Sequence, residues 1–149
     1  TGISFIDIKN LTTENIVEMN GSLWITSKRQ KTNVPFQIKL MEVPLRIIKR
    51  YEAFRKDNHL FNIGSLSVIN KRLKSIAKKC GIEKSLSFHQ SRHTMAVFAL
   101  NNGMPIESVS KILGHTNITT TQLYAKVTST KLDHDISAFE EKVSTRFAI

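Results

Sequence analysis

Three basic side chains and one phenol occur in this chain at spacings that could place them in one site. His89 and Arg92, in the segment His89-Gln90-Ser91-Arg92, are three positions apart and therefore lie on one face of a helix. His115 follows in Leu113-Gly114-His115, and Tyr124 stands nine positions after it. Fixed guanidinium and imidazole donors stabilise negative charge on oxygen, and a phenol beside them can attack as a nucleophile. The series predicts a site for an anionic group, with Tyr124 as the candidate nucleophile.

Each of these residues also has a quieter interpretation. His89 and His93 are spaced i, i+4 and could bind zinc with His115, but Gln90 stands where the metalloprotease motif HExxH has its catalytic Glu. His93 taken alone is typical of a packed, hydrogen-bonded helix residue, so we leave it outside the predicted site. Tyr124 taken alone is typical of the edge of an amphipathic core. Only its spacing of nine positions from His115 favours the interpretation of Tyr124 as a nucleophile.

The elements that must position these residues are mainly helical. Val34, Phe36, Ile38 and Leu40 alternate with polar residues, and Leu23-Trp24-Ile25 precedes a basic connection. This pattern predicts a small antiparallel sheet with a hairpin turn within residues 28–33. Apolar periodicity, Ser caps and Gly stops predict the helices. They are the end of a helix at 5–11 and helices at about 45–58, 67–80, 89–102, 106–113, 120–126 and 132–143. We therefore expect a multihelical α+β fold, mainly α with one small antiparallel β-sheet.

The chain is strongly basic, and the excess charge is uneven. Its 149 residues include 22 Lys and Arg against 12 Asp and Glu, a formal net charge of +10. From Thr130 onward three basic and four acidic residues give −1, which leaves +11 for the rest. Lys and Arg set against phosphates release condensed counterions, so this charge favours a nucleic acid partner over a Lys-rich surface without a ligand.

Cysteine and hydropathy exclude several classes of protein. Cys80 is the only cysteine, which excludes an internal disulfide and a CxxC metal or redox pair. No apolar run approaches the ~20 residues of a membrane helix, and no signal peptide opens the chain. We therefore expect a cytoplasmic, nucleoid-associated protein with no membrane partner.

Together the motifs resemble those of the tyrosine recombinase (phage integrase) family. Its members carry an Arg within Thr-Gly-Leu-Arg, a Lys on a β-hairpin, His-x-x-Arg, Leu-Gly-His and then a nucleophilic Tyr. Here Arg92, His89, His115 and Tyr124 match that series, and Lys31 in Lys31-Thr32 matches the hairpin lysine. The segments Arg92-His93-Thr94 and Tyr124-Ala125 are also similar. The resemblance covers nearly the whole chain.

The resemblance implies a site-specific DNA recombinase or integrase that cuts with Tyr124 as a covalent nucleophile. Arg92, His89 and His115 would stabilise charge on the phosphate, and Lys31 would protonate the leaving 5′-oxygen. A 3′-phosphotyrosyl link stores the bond energy, so religation needs neither ATP nor metal and no cofactor is expected. The substrate would be double-stranded DNA, and we expect it to be that of a transposon or other mobile element.

One position departs from the family pattern. The family's first Arg is replaced by Ser4 in Thr1-Gly2-Ile3-Ser4, and Ser cannot supply a charged bidentate fork. The acidic residue usually found three positions later is present as Asp7. Arg29 is our candidate substitute, because it lies two residues before Lys31 and residues i and i+2 point to the same face of a strand.

Domain organisation and assembly are also implied by the resemblance. Residues 1–149 would be a single catalytic domain, an N-terminally truncated fragment of a longer protein. Residues 131–149 predict an amphipathic helix, which either packs on its own core or docks in trans on a neighbouring subunit. We favour docking in trans, with a homotetramer on DNA, a monomer in isolation and accessory DNA-bending proteins as further partners.

Two other functions fit the same residues. A type IB topoisomerase makes the same tyrosyl link but relaxes supercoils instead of exchanging strands. A DNA-binding module that has lost catalysis would account for the missing first Arg. Covalent capture on a nicked DNA substrate separates the enzymes from the inactive module.

Overall fold

A computed structural model describes residues 1–125 and 129–146 of the chain. This part contains seven α-helices and one three-stranded antiparallel sheet, which confirms the predicted mainly helical α+β fold. The strands are β1 (Ile16–Met19), β2 (Ser22–Lys28) and β3 (Pro35–Lys39). The helices are α1 (Phe5–Lys9), α2 (Glu42–Tyr51), α3 (Leu66–Lys79), α4 (Phe88–Asn101), α5 (Ile106–Leu113), α6 (Thr119–Gln122) and α7 (Ser129–Arg146). None of the helices in these described ranges is long and apolar enough to span a membrane.

The sheet is a meander in the order β1-β2-β3. Asn20 (φ 52°) and Gly21 (φ 66°) join β1 to β2, and a two-residue turn of this kind matches the twist of a hairpin. Strand β2 then pairs with β3 from Trp24 opposite Lys39 to Lys28 opposite Pro35. The connection between them is closed by the amide of Arg29, which donates to the carbonyl of Val34 at 2.8 Å. The predicted hairpin turn is therefore confirmed.

Two apolar cores position the rest of the chain. The first lies under the sheet, where the alternation along β3 buries one side of that strand. Its members are Ile3, Leu11, Ile25, Phe36, Ile38, Leu40 and Leu60. The second core joins α4 to α5, and Tyr124 packs against it. Its members are Ala96, Ala99, Leu100, Val109 and Leu113. Helix α5 also packs on β3, so the two cores meet at this helix.

Helices α4 and α5 have the ends that the sequence predicts. At the start of α4, Ser87 and Gln90 form a capping box. At the end of α5, Gly114 adopts the left-handed conformation (φ 61°) that a glycine permits at low cost. The amide of His115 then donates to the carbonyl of Ser110 at 3.0 Å. This C-terminal cap fixes where His115 leaves the helix.

Three predicted boundaries differ from the structure. The residues 5–11 do not end a helix; they begin one, because Ser4 caps the short α1 and its hydroxyl accepts from the amide of Asp7. Helix α2 ends at Tyr51 and passes into a 3-10 turn at Glu52–Phe54, well before residue 58. Helix α6 ends at Gln122, earlier than the predicted end at residue 126. Lys126 itself lies outside the described residues. The predicted C-terminal helix is confirmed as α7.

Candidate active site

Arg92 is the buried centre of the site. It projects from α4, is 5% exposed, and uses two of its guanidinium nitrogens on backbone carbonyls. Nη1 donates to Gly2 at 2.9 Å and Nη2 donates to Leu113. These bonds tie the first residues of the chain to the end of α5. A guanidinium has five N–H donors, so groups remain on Arg92 to bind an oxyanion.

Arg29 lies beside Arg92. Its Nη1 donates to the same carbonyl of Leu113 at 3.4 Å, and its Nε lies 3.1 Å from Oδ2 of Asp7. Asp7 is 5% exposed and also accepts from the hydroxyl of Ser4 at 2.6 Å and the amide of Gln30 at 2.8 Å. The carboxylate thus contacts Ser4, Gln30 and Arg29 at once. Asp7 therefore holds Arg29 in place next to Arg92.

The prediction that Arg29 and Lys31 share one face of a strand is wrong, although Arg29 does lie beside Arg92. Strand β2 ends at Lys28, so Arg29 and Lys31 both lie in the connecting turn. The i, i+2 alternation of a strand does not apply there. Arg29 points inward because of Asp7 and Leu113, whereas Lys31 is exposed. No hydrogen bond or ion pair joins Lys31 to another residue of the described ranges. The structure thus brings together every predicted site residue except Lys31.

His115 is held from both sides. Its backbone is fixed by the α5 cap, and its Nδ1 lies 2.8 Å from Oγ1 of Thr121 in α6. Thr121 is fully buried. The ring of Tyr124 lies nearly parallel to that of His115, at 24° and a centroid distance of 6.5 Å. The imidazole and the phenol therefore share one surface of the site.

Tyr124 is half-buried and contacts a second imidazole, that of His93. The two ring centroids are 5.0 Å apart, and His93 in turn meets the ring of His89 edge-on at 4.4 Å. His93 is thus the link between Tyr124 and His89. Sequence reasoning left His93 outside the site, because its contact with a residue 31 positions later depends on how α4 and the segment after α6 pack. The adjacent pair Arg92-His93 was the available signal.

The charges of the site act on its histidines. Burial, followed by the charges of Arg92 and Arg29, lowers the pKa of His115 to about 4. Burial also lowers the pKa of His89, with smaller contributions from His93, Arg92 and Arg29. Both rings are therefore neutral at pH 7. Burial and the charge of Arg29 lower the pKa of Arg92 to about 10, so this guanidinium remains charged at pH 7.

The arrangement suits an anion better than a metal ion. The guanidinium groups of Arg29 and Arg92 both donate to the carbonyl of Leu113, and the one buried carboxylate, that of Asp7, is paired with Arg29. Within residues 1–125 and 129–146, no three His, Cys, Asp or Glu side chains are grouped so as to hold a metal ion. The zinc site considered for His89, His93 and His115 is therefore not formed by these residues. A phosphate oxygen facing Arg29, Arg92 and His115 would meet several fixed donors.

Comparison with known proteins identifies the family. A profile of the phage integrase family matches residues 1–131. The chain belongs to this family. The resemblance drawn from the His-x-x-Arg, Leu-Gly-His and Tyr motifs is thereby confirmed.

Individual relatives are tyrosine recombinases. The tyrosine recombinase XerD of Listeria monocytogenes is 48% identical over 62 residues, which are 42% of this chain and 21% of that protein. The tyrosine recombinase XerC of Oceanobacillus iheyensis is 27% identical over 148 residues, with 89% of this chain and 47% of that protein covered. The chain thus spans about half or less of the length of these relatives.

The fold is also that of a solved family member. The crystal structure of XerA recombinase matches with a TM-score of 0.73 at 25% identity, covering 93% of this chain and 54% of that one. The phage integrase fold is therefore present over nearly all of the chain.

Proposed function

We propose that this protein cleaves and rejoins double-stranded DNA through a 3′-phosphotyrosyl intermediate formed by Tyr124. The observation that carries the proposal is the meeting of Tyr124, His115 and Arg92 around the end of α5 in a chain of the phage integrase family. The excess of 22 basic over 12 acidic residues supports a polyanionic substrate.

The chemistry follows from the types of the residues. The phenolic oxygen of Tyr124 attacks the phosphorus atom, and the bond from phosphorus to the 5′-oxygen breaks. Arg92, His89 and His115 donate hydrogen bonds to the non-bridging oxygens as their charge grows. The phenol releases its proton to solvent water, and Lys31 supplies one to the leaving 5′-oxygen. Attack by a 5′-hydroxyl reverses these steps, so strands are rejoined without ATP and no step is assigned to a metal ion.

Arg29 takes the role of the family's first Arg in this proposal. It shares the carbonyl of Leu113 with Arg92, and it is only 14% exposed in its ion pair with Asp7. Its position is thus fixed before DNA binds, as electrostatic stabilisation requires. Lys31 sits two residues further along the turn, is exposed, and makes none of the contacts that hold Arg29. DNA binding would have to bring Lys31 to the leaving oxygen.

The assembly proposed here depends on α7. Leu132, Ile136 and Phe139 are 52%, 56% and 68% exposed, and their spacing puts them on one face of this helix. Such a face is stabilised by burial against another protein surface. We place it on a neighbouring subunit in a homotetramer on DNA, with a monomer in isolation and DNA-bending proteins as accessory partners.

The same proposal covers domain organisation and setting. Residues 1–149 act as the catalytic domain of a longer protein, at the nucleoid in the cytoplasm. The DNA joined would be that of a mobile element. Recombination between candidate element ends and target DNA, scored by joint products, tests this part directly.

The decisive experiment is covalent capture on a nicked suicide substrate, in which the short cleaved fragment with the free 5′-hydroxyl diffuses away. The protein should form an adduct with the 3′ phosphate, and Tyr124→Phe should abolish it while DNA binding persists. Binding without any adduct, in this chain and in a longer form of the protein, would favour the inactive DNA-binding module. Supercoil relaxation without recombinant products would favour the topoisomerase.

The same substrate tests Arg29. Arg29→Ala should slow adduct formation by about 10²–10³-fold, the cost of removing one fixed donor to an oxyanion, with little change in DNA affinity. Arg55→Ala is the matched control, because Arg55 is similarly buried (16% exposed) and paired with Glu52 but lies outside the site. An unchanged cleavage rate in Arg29→Ala would exclude the substitution of Arg29 for the first Arg.

A further inference from the structure

Thr121 is a fully buried polar residue that the proposed reaction does not use. It lies in α6, three positions before Tyr124, and its Oγ1 lies 2.8 Å from Nδ1 of His115. A bond between these two atoms has two forms. Either the hydroxyl donates to an unprotonated Nδ1, or a protonated Nδ1 donates to the hydroxyl oxygen. The two forms place the imidazole proton on opposite sides of the ring.

The surroundings of Thr121 select the first form. In a helical turn a threonine hydroxyl can also donate to the carbonyl three or four residues back. The structure bonds neither carbonyl to this hydroxyl, and both accept backbone amides: Ile118 accepts from Thr121 at 2.8 Å and from Gln122 at 3.0 Å, and Asn117 accepts from Thr120 at 3.1 Å. Among the described residues, His115 Nδ1 is the only hydrogen-bond partner of Thr121 Oγ1.

The two forms differ in free energy because only one of them gives the buried hydroxyl proton of Thr121 an acceptor. If Nδ1 carried the proton, the hydroxyl hydrogen of Thr121 would be left without an acceptor in the interior. An unsatisfied buried donor costs about 1–3 kcal/mol, which is enough to make one tautomer dominate by roughly 5-fold to 150-fold. The hydroxyl therefore donates and Nδ1 accepts.

We propose that Thr121 is a positioning residue that holds the ring proton of His115 on Nε2, so that His115 donates a hydrogen bond to the scissile phosphate and does not act as the base for Tyr124. This inference rests on the function proposed above and specifies the role of one residue within it. His115 carries a single ring proton at pH 7, because burial and the charges of Arg92 and Arg29 keep it neutral. The location of that proton then decides whether the ring is a donor or an acceptor toward DNA.

Nitrogen NMR of the protein labelled with ¹⁵N-histidine reads the tautomer directly, since protonated and unprotonated ring nitrogens resonate far apart. The His115 signals are assigned by their loss in His115→Asn. We expect the proton on Nε2 in the wild type and in Thr121→Ser, which keeps the hydroxyl. Thr121→Val has the same shape without the hydroxyl donor, and we expect it to show a mixture of tautomers.

Cleavage of the nicked substrate supplies the second measurement. Thr121→Val should slow adduct formation at least about ten-fold, since one donor to the phosphate is no longer fixed, and Thr121→Ser should restore most of the rate. A proton on Nδ1 in the wild type would overturn the proposal, even if Thr121→Val did not fold. A single Nε2 tautomer together with wild-type cleavage in Thr121→Val would also overturn it.

The two proposals fail in different ways. If neither the wild-type protein nor any variant forms an adduct, the proposed function is refuted. The NMR measurement still decides separately whether Thr121 sets the tautomer of His115. If the adduct forms but the proton lies on Nδ1, the function survives and the role of Thr121 is wrong.

Discussion

A methyl group added at Gly114 should disable the site through Arg29. Gly114 ends α5 at φ +61°, and a Cβ built on it would lie 2.7 Å from Cγ and 3.1 Å from Cδ of Arg29. Arg29 cannot simply retreat, because its guanidinium is held by Asp7 and by the carbonyl of Leu113. Gly114→Ala therefore adds about 1–2 kcal/mol of left-handed backbone strain and also displaces Arg29.

Gly81→Ala separates these two effects. Gly81 follows α3 at φ +67°, and no atom lies within 4 Å of a Cβ built there. Gly81→Ala should lower the free energy of unfolding by about 1–2 kcal/mol in urea titrations, and Gly114→Ala should lower it by at least as much, since it also displaces Arg29. Only Gly114→Ala should slow adduct formation, by about ten- to a hundred-fold, which corresponds to about 1.4–2.7 kcal/mol in activation free energy.

Two results would refute this reasoning. If Gly114→Ala and Gly81→Ala both form the adduct as fast as the unchanged protein, the location of Arg29 is irrelevant to cleavage. If both variants slow adduct formation equally, the loss comes from reduced stability and not from Arg29. Equal DNA affinity of the two variants, measured by titration at fixed salt, is the control for binding.

Two further predictions concern stability. Since His115 has a pKa of about 4 when folded and 6.5 when unfolded, only the unfolded chain gains a proton as the pH falls below 6.5, so stability declines between pH 6.5 and 4. His115→Gln should reduce that decline by about 1 kcal/mol, a value lowered for solvent screening of the partly exposed ring. Urea titrations at pH 7 and pH 5 measure the decline, and the same decline in His115→Gln and in the wild type would contradict this prediction. Leu60→Ala should cost about 2–5 kcal/mol in the same titrations because Leu60 is 0% exposed in the first core, and a cost below 1 kcal/mol would mean that this core relaxes around the cavity.

Much of the fold follows from local patterns in the sequence. The alternation along β3 and the glycines after α3, α4 and α5 set those elements, because each signal depends only on neighbouring residues. The Asn20-Gly21 turn was an equally local signal that the sequence reasoning did not use. The Ser4 cap of α1 was another such local signal. The end of α2 was missed for a different reason. The chain after α2 is held by tertiary packing, since segment 58–60 pairs with segment 11–13 and the amide of Leu60 donates to the carbonyl of Leu11 at 2.8 Å.

The site divides in the same way. The spacing of His89, Arg92, His115 and Tyr124 was sufficient to identify them, because short motifs carry them. His93 and Thr121 act through contacts with residues outside their own motif, at 5.0 Å from Tyr124 and 2.8 Å from His115. Local periodicity contains no information about such contacts. Beyond the adjacent pair Arg92-His93, the sequence therefore gave no signal for these two residues until α4, α5 and α6 were placed together.

The replacement of the first Arg by Ser4 is best understood through charge balance around Asp7. A buried carboxylate without a cation is strongly unfavourable, so Asp7 requires a positive partner whatever residue occupies position 4. Ser4 satisfies one oxygen as a neutral donor at 2.6 Å, and Arg29 reaches the same oxygen from the β2–β3 turn at 3.1 Å. Asp7 thereby draws a guanidinium to the side of Arg92 and the carbonyl of Leu113. A basic residue elsewhere in the hairpin would not have this carboxylate to hold it, which is why Arg29, and neither Lys28 nor Lys31, is the cation that lies within the site.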